Sequence, residues 1–375
     1  MTVTLRGISW DHPRGLEPLL ATAARYSAVH ADTQVEWAAR SLQDFGNQPL
    51  EKLAATYDLL VVDHPHVGEA AERGYLLPLN EWVTEQDLAE LEHESAGPSH
   101  ASYSYGGCQW ALAIDAAAQV AAYRPDRLPY PPSRWEDVAR LAQEQLVLWP
   151  LKPVDAICSF LSLVSALGHC PAGDGRLVDD AVGEQSLDLM RSIVYSIPEA
   201  CLSMDPIIAL EEMATGDEAV YSPLLFGYSN YARHGFRHQL LRFTDGPSLD
   251  GAPKGTILGG AGVAVSASTR HPEAASRHAA WLASSDIQST TYGNNGGQPA
   301  NGAAWRDPQL NAATNGFFAD TRLTIERAWV RPRHPGFLMF QSEAGDIVYR
   351  FLAEGGSSRS ALAQLNSLYE RTGPQ

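Results

Sequence analysis

The sequence predicts an α/β protein built from two domains. Three observations lead there. The chain has 375 residues, more than one ordinary hydrophobic core organises. Its N-terminal part alternates short apolar strands with amphipathic helices, the order of an open parallel sheet. The run Tyr57-Asp58-Leu59-Leu60-Val61-Val62-Asp63 is compact and apolar with a polar stop, as a strand buried on both faces should be.

The elements follow in order. Residues 2–9 alternate apolar and polar as a strand does, and Gly15–His30 carries Leu16, Leu19, Leu20, Ala23, Ala24 and Tyr26 at helical spacing. A strand over Thr33–Ala38 and a helix over Leu42–Ala55 precede the apolar run, and a helix over Val67–Arg73 follows it. Gly106-Gly107-Cys108 marks a turn before a strand from Gln109 to Ile114 that ends at Asp115; Asp115–Ala118 reads as the hinge where the chain enters the second domain. The prolines of Pro125–Pro132 make a rigid loop, and Ser133 is set to cap a helix over Trp135–Gln143. A short strand at Leu146–Trp149, helices at Pro153–Leu167, Glu184–Ile197 and Ile207–Thr215, and a strand at Glu218–Ser222 complete this part. Ile257–Val265 is glycine-broken and then strand-like, which suits the return crossing. Pro272–Ser284 is a helix with proline near its start, and Phe340–Arg371 is mostly helical.

Composition removes several function classes. Hydrophobic residues make up 45% of the chain, which suits a sizeable core, and no apolar stretch reaches the length of a membrane helix. A net charge of -17 argues against a nucleic-acid partner, which calls for a basic patch. Cys108, Cys158, Cys170 and Cys201 form no CxxC pair; buried thiols are the expected state, with one or two disulfides as the alternative. The start, Met1 to Trp10, has no basic region, apolar core or cleavage site, so the chain as written is expected in the cytoplasm, or in the periplasm or outside the cell if it is a mature form.

Candidate ligand-binding residues come from strand ends and aromatic rings. In open α/β sheets the ligand lies beyond the strand C-termini. Asp11, Asp63 and Asp115 fall just after expected strands, where a carboxylate can accept paired hydroxyls; the competing role is a helix N-cap. Trp10, Trp149, Tyr228, Tyr231 and Trp329 offer flat faces for sugar C–H surfaces, with core packing as the competing role. His64 and His66 flank Pro65; with Asp11, His12 or Asp63 they have the residue types of a metal site, but two histidines do not specify one, and no metal or cofactor is expected. Arg331, Arg333 and His334 are the densest basic cluster in an acidic chain and suit an anionic group, or else a solvated loop with internal ion pairs. Gly259-Gly260-Ala261-Gly262 lacks the lysine and serine of a phosphate loop and leads into a strand, so close backbone packing accounts for it better.

Several segments together carry a family resemblance: Trp135-Glu136-Asp137 after a proline loop, Thr215-Gly216-Asp217-Glu218-Ala219, Leu258 to Ser266, His271-Pro272-Glu273-Ala274-Ala275 followed by Trp281-Leu282, and Gly296-Gly297-Gln298-Pro299. In order and spacing they resemble the family 1 extracellular solute-binding proteins of ABC importers, the carbohydrate-binding group. The resemblance implies a periplasmic-binding-protein-like fold of type II, two α/β lobes with a hinge and an interlobe cleft. It puts residues 1–114 and about 259–312 in one lobe and 115–258 and about 313–375 in the other, with crossovers near 115, 259 and 313. Gly260 and Gln298 join the ligand-binding candidates through it. The implied function is binding of a sugar, sugar acid or related carboxylate by a monomer that serves an ABC permease if exported. A cytoplasmic enzyme on the same fold is the other reading, using Asp11, His12, Asp63, His64, His66 and Asp115 for non-redox acid–base chemistry. A cytosolic sensor that reports ligand occupancy is the third.

Overall fold

The computed structural model describes residues 2–41, 44–45, 48–173 and 175–374. By internal contacts the chain forms two compact units, 1–117 with 228–230 and 259–312, and 118–227 with 231–258 and 313–375.

In the first unit the strands are β1 (Val3–Trp10), β2 (Thr33–Arg40), β3 (Leu59–Val62), the hairpin β4 (Ser104–Tyr105) and β5 (Cys108–Gln109), and the start of β6 (Leu112–Tyr123). The helix Pro13–Val29 returns the chain from β1 to β2, which pair in parallel over their full lengths. β3 lies parallel on the other side of β1, as its apolar pattern requires. Within the sheet the order is β2-β1-β3-β9-β6, where β9 (Leu258–Val265) runs antiparallel to β3. Leu5, Tyr26, Leu59, Val61, Ile114, Val263 and Leu282 meet in the core of this unit. Parallel β1 and β3 point their C-terminal ends the same way, so Asp11 to Arg14 and Asp63 to His66 emerge at one edge.

In the second unit the latter part of β6 pairs antiparallel with β7 (Tyr221–Phe226) and β8 (Arg242–Thr244). Helices Pro153–Ala166, Asp180–Val194, Phe337–Glu354 and Ser358–Thr372 pack together, with Gly345 letting the third approach the first turn of the first.

Several expectations need correction. The strand through Asp115 does not end there: β6 continues to Tyr123 with every residue buried, and the division between the two units, at Ala117 and Ala118, falls within the expected crossing Asp115–Ala118. Ser133 does not cap the helix Trp135–Gln143; extended Arg134 holds the N-cap position, and Ser133 instead accepts from the Ser248 amide. Among the described residues Leu146–Trp149 makes one bridge, Val147 with Tyr221, before Pro150 stops the ladder. The strand expected at Glu218–Ser222 starts later, at Tyr221, because exposed Asp217 and Glu218 form the connection. The helix expected over Leu42–Ala55 falls partly on residues 42, 43, 46 and 47, outside the described residues; Leu50–Ala54 is helical. Cys158 and Cys201 are buried as expected, but Cys108 is half-buried and Cys170 exposed, and no disulfide joins the four.

Candidate functional site

The first unit gathers most of the strand-end candidates. Trp10, last in β1, turns inward: it is 4% exposed, sits over Gly15, where a Cβ would lie 2.4 Å from its ring, and meets Phe45 at 5.1 Å. It packs in the core and offers no open stacking face. Asp11 is exposed, its amide tied to Arg40 O at 2.7 Å. The helix cap weighed for Asp11 falls to His12, whose Nδ1 accepts the Arg14 amide at 3.0 Å. The acceptor role leaves that nitrogen unprotonated.

Arg14, in the first turn of the helix, reaches back into the sheet. Its Nε and Nη2 donate to Oδ2 and Oδ1 of Asp115 at 2.8 and 2.5 Å, a two-point fork buried on both sides. The guanidinium lies 4.5 Å from the Tyr228 ring, and the His12 ring meets the same tyrosine edge-on at 4.8 Å. Burial works against the charge on Arg14, and the attraction of Asp115 outweighs it, so the guanidinium is held above its ordinary pKa. Burial pushes the Asp115 carboxyl above its ordinary value against the pull of Arg14, and the fork, with Asp115 1% exposed, fixes the carboxylate in this cluster. Buried Tyr292 also feels both charges.

Gln298 locks the cluster to its surroundings. Its side-chain oxygen accepts the Ser229 amide at 3.0 Å and its Nε2 donates to Ala116 O at 2.8 Å, while its own carbonyl accepts the Ala116 amide at 3.0 Å. The residue holds backbone in register, a different role from the ligand contact expected. Gly260 likewise serves backbone approach: with φ +108, a Cβ there would stand 2.2 Å from Asp115 O.

The second strand end is more enclosed. Half-buried Asp63 caps the short turn His64–His66, its Oδ1 accepting the His64 amide at 2.8 Å and lying 3.1 Å from His64 Nδ1. His64 is fully buried and meets Tyr103 edge-on, and His66 is buried where the helix Val67–Glu72 begins. Among the described residues no group of three His, Cys, Asp or Glu side chains is arranged to hold a metal ion.

The remaining candidates belong to the second unit. Trp149 is fully buried, donates Nε1–H to Ser159 Oγ at 3.1 Å and packs on Trp135 at 5.4 Å, so it is a core residue. Tyr231 is buried and donates its hydroxyl to Glu211 at 2.6 Å. Half-buried Trp329 has its main chain fixed on both sides, its amide on Thr256 O and its carbonyl on the Leu258 amide, each at 2.8 Å. Arg331 is buried and Arg333 half-buried; the His334 ring packs edge-on against Phe337 and Tyr369.

Sequence reasoning missed Arg14 and Tyr292. Arg14 had a usable signal: a basic residue in the first helical turn after a strand needs a counter-charge, and Asp115 was already marked as a strand-borne carboxylate.

No family model matches the chain, and no curated protein is similar to it in sequence. Its fold is shared with solved solute-binding proteins over their whole length. Maltose-bound MalE3 of T. maritima superposes with a TM-score of 0.82 at 19% identity, covering 99% of this chain and 100% of that one. An ABC transporter solute-binding protein from Agrobacterium radiobacter K84 in complex with ribitol gives 0.81 at 22% identity, with 98% of each chain covered. Another from Thermotoga lettingae TMO, bound with α-D-tagatose, gives 0.81 at 15% identity and covers 99% and 100%. The chain therefore has the periplasmic-binding-protein-like α/β fold that these sugar- and polyol-binding proteins share.

Proposed function

We propose that this protein is a solute-binding protein for a small polar molecule of the sugar, polyol or sugar-acid class, and that it serves an ABC permease. The observation that carries this reading is the match of the whole chain, end to end, to proteins solved with maltose, ribitol and tagatose. The strand-end edge of the first unit adds to it. Exposed Asp11 and half-buried Asp63 stand there, and from the same edge Arg14 enters an ion-paired, aromatic-backed cluster that is already fixed in place. Fixed polar groups bind hydroxyls without first paying an ordering entropy.

The test is isothermal titration and thermal shift of the full chain against maltose, ribitol, tagatose and their acids. A binder in the panel should raise the melting temperature with concentration, and Asp11→Ala or Asp63→Ala should weaken it about 10-fold or more, as expected for the loss of a hydrogen bond to a charged group. A panel without a binder, together with freshly purified protein that carries no small molecule in native mass spectra, would reject the reading.

A further inference from the structure

We infer that Asn230, Glu17 and Gly296 form a hydroxyl subsite, in which the Asn230 amide and the Glu17 carboxylate hold one hydroxyl of the ligand between them. This rests on the solute-binding reading and narrows its class to neutral sugars and polyols, against sugar acids.

Asn230 is 2% exposed, and among the described residues its Oδ1 has no hydrogen-bond partner. Ser229, just before it, is fully buried, and its Oγ is likewise unpartnered among the described residues. Buried polar side chains are nearly always paired, because one left unpaired keeps the cost of losing its water. Here two follow one another on a segment whose backbone is held: Gln298 accepts the Ser229 amide at 3.0 Å, and the short turn Ser229–Ala232 begins there. A fold that only had to fill this space would be more stable with an apolar side chain.

The glycine opposite shows what the amide faces. Gly296 has φ +87, and a Cβ on it would lie 3.0 Å from Asn230 Nδ2 and 3.7 Å from Glu17 Oε2. Among the described residues, its own chain neighbours apart, no other atom comes within 4 Å of that point. The missing side chain therefore leaves room between a donor and an acceptor. Glu17 is exposed, so the acceptor side meets water. Glu17 lies three residues after Arg14 on the helix Pro13–Val29, and Asn230 two residues after Tyr228, whose ring backs Arg14. The subsite thus continues the ion-paired cluster, and all of its residues belong to the first unit.

A hydroxyl suits this pair: its oxygen accepts from Nδ2, and its hydrogen goes to the carboxylate. A carboxylate in the same place has no hydrogen to give and meets the charge of Glu17. Arg14, the cation next along the helix, is already taken up by Asp115.

The experiment titrates the full chain with matched pairs, ribitol and ribonate, glucose and glucuronate, and reads the melting temperature without ligand. In at least one pair the neutral member should bind about 10-fold tighter or more than its acid. Glu17→Gln keeps the shape and removes the charge; it should weaken neutral binding about 10-fold and bring the acid level with its neutral partner. Asn230→Leu should weaken neutral binding about 10-fold as well, yet leave the ligand-free melting temperature unchanged or higher, because it removes a buried amide whose oxygen has no partner. A lowered melting temperature would make the amide a structural group and overturn the subsite. Glu17 is exposed, so its variant decides the binding question even where the Asn230 change disturbs packing. An acid that binds as tightly as its neutral partner, or neutral binding that survives Glu17→Gln, also overturns the subsite and leaves solute binding standing. A panel in which nothing binds removes both.

Discussion

Arg14 and Asp115 both surrender their water on folding, and the two-point fork between them, with the Tyr228 ring against the guanidinium, compensates. Removing one partner strands a buried charge. Asp115→Ala should therefore destabilise the protein by about 3–5 kcal/mol, whereas Arg14→Met with Asp115→Leu, which removes both charges and keeps the volume, should cost far less. Urea denaturation of the two single variants and the double gives the coupling; a double that loses the sum of the two single losses would show that the two residues act independently. The residue scale is also where the sequence was least legible. Asp115 could be marked as a strand-borne carboxylate, but its partner lies 101 positions away, and no local pattern names it. Trp10 and Trp149 show why rings mislead: a strand-end or loop position does not say which way an indole turns. Here Gly15 leaves room for one ring, and Ser159 holds the N–H of the other inside the core.

At the scale of elements, the strand and helix pattern was largely readable, because buried β1, β3 and β9 and the helices around them carry strong periodicity. What slipped were boundaries set by distant partners. β6 runs on past Asp115 because β7 and β8 give its latter part hydrogen-bond partners, which nothing in Leu112–Tyr123 announces. Long-range pins of the Gln298 kind are equally hidden, yet they decide how β6 and the segment 228–230 stay fixed in the first unit. Gln298→Ala leaves the Ser229 N–H and the Ala116 carbonyl without that partner, and the expected cost is about 2–6 kcal/mol, since each unsatisfied buried group costs about 1–3. Hydrogen exchange at Ser229 should speed up in the variant; unchanged exchange would argue that the pin is idle. Gly260→Ala tests the neighbouring close approach. With φ +108 and a backbone oxygen 2.2 Å from the added carbon, main chain must move, at about 2–4 kcal/mol in chemical denaturation.

For the whole molecule, two buried titratable groups outside the proposed site set opposite responses to pH. Asp155 belongs to the second unit; burial, helped by Asp205 and opposed by Lys152, pushes its carboxyl up to about 8, and among the described residues its Oδ2 has no hydrogen-bond partner. His278 belongs to the first unit; burial and then His30 push its imidazole down to about 3. An acid whose folded pKa is raised loses stability as pH climbs from the unfolded value, 3.8, to about 8. A base whose folded pKa is depressed keeps full stability above its unfolded value, 6.5, and loses it as pH falls toward about 3. Each limb has a slope of about 1.4 kcal/mol per pH unit. If both units unfold in one step, the two contributions cancel between about pH 4 and 6.5, and the Asp155 limb alone remains from there to about pH 8. If they unfold separately, the midpoint of the first unit drops on the acid side and that of the second on the alkaline side. Urea midpoints read at pH 4.5, 6.5 and 8.5 distinguish the two cases. Asp155→Asn should abolish the alkaline fall and raise stability most at pH 8.5, and His278→Leu should abolish the acid loss. An Asp155→Asn variant whose midpoint follows the wild-type pH profile would mean that this carboxyl is not held protonated inside the fold.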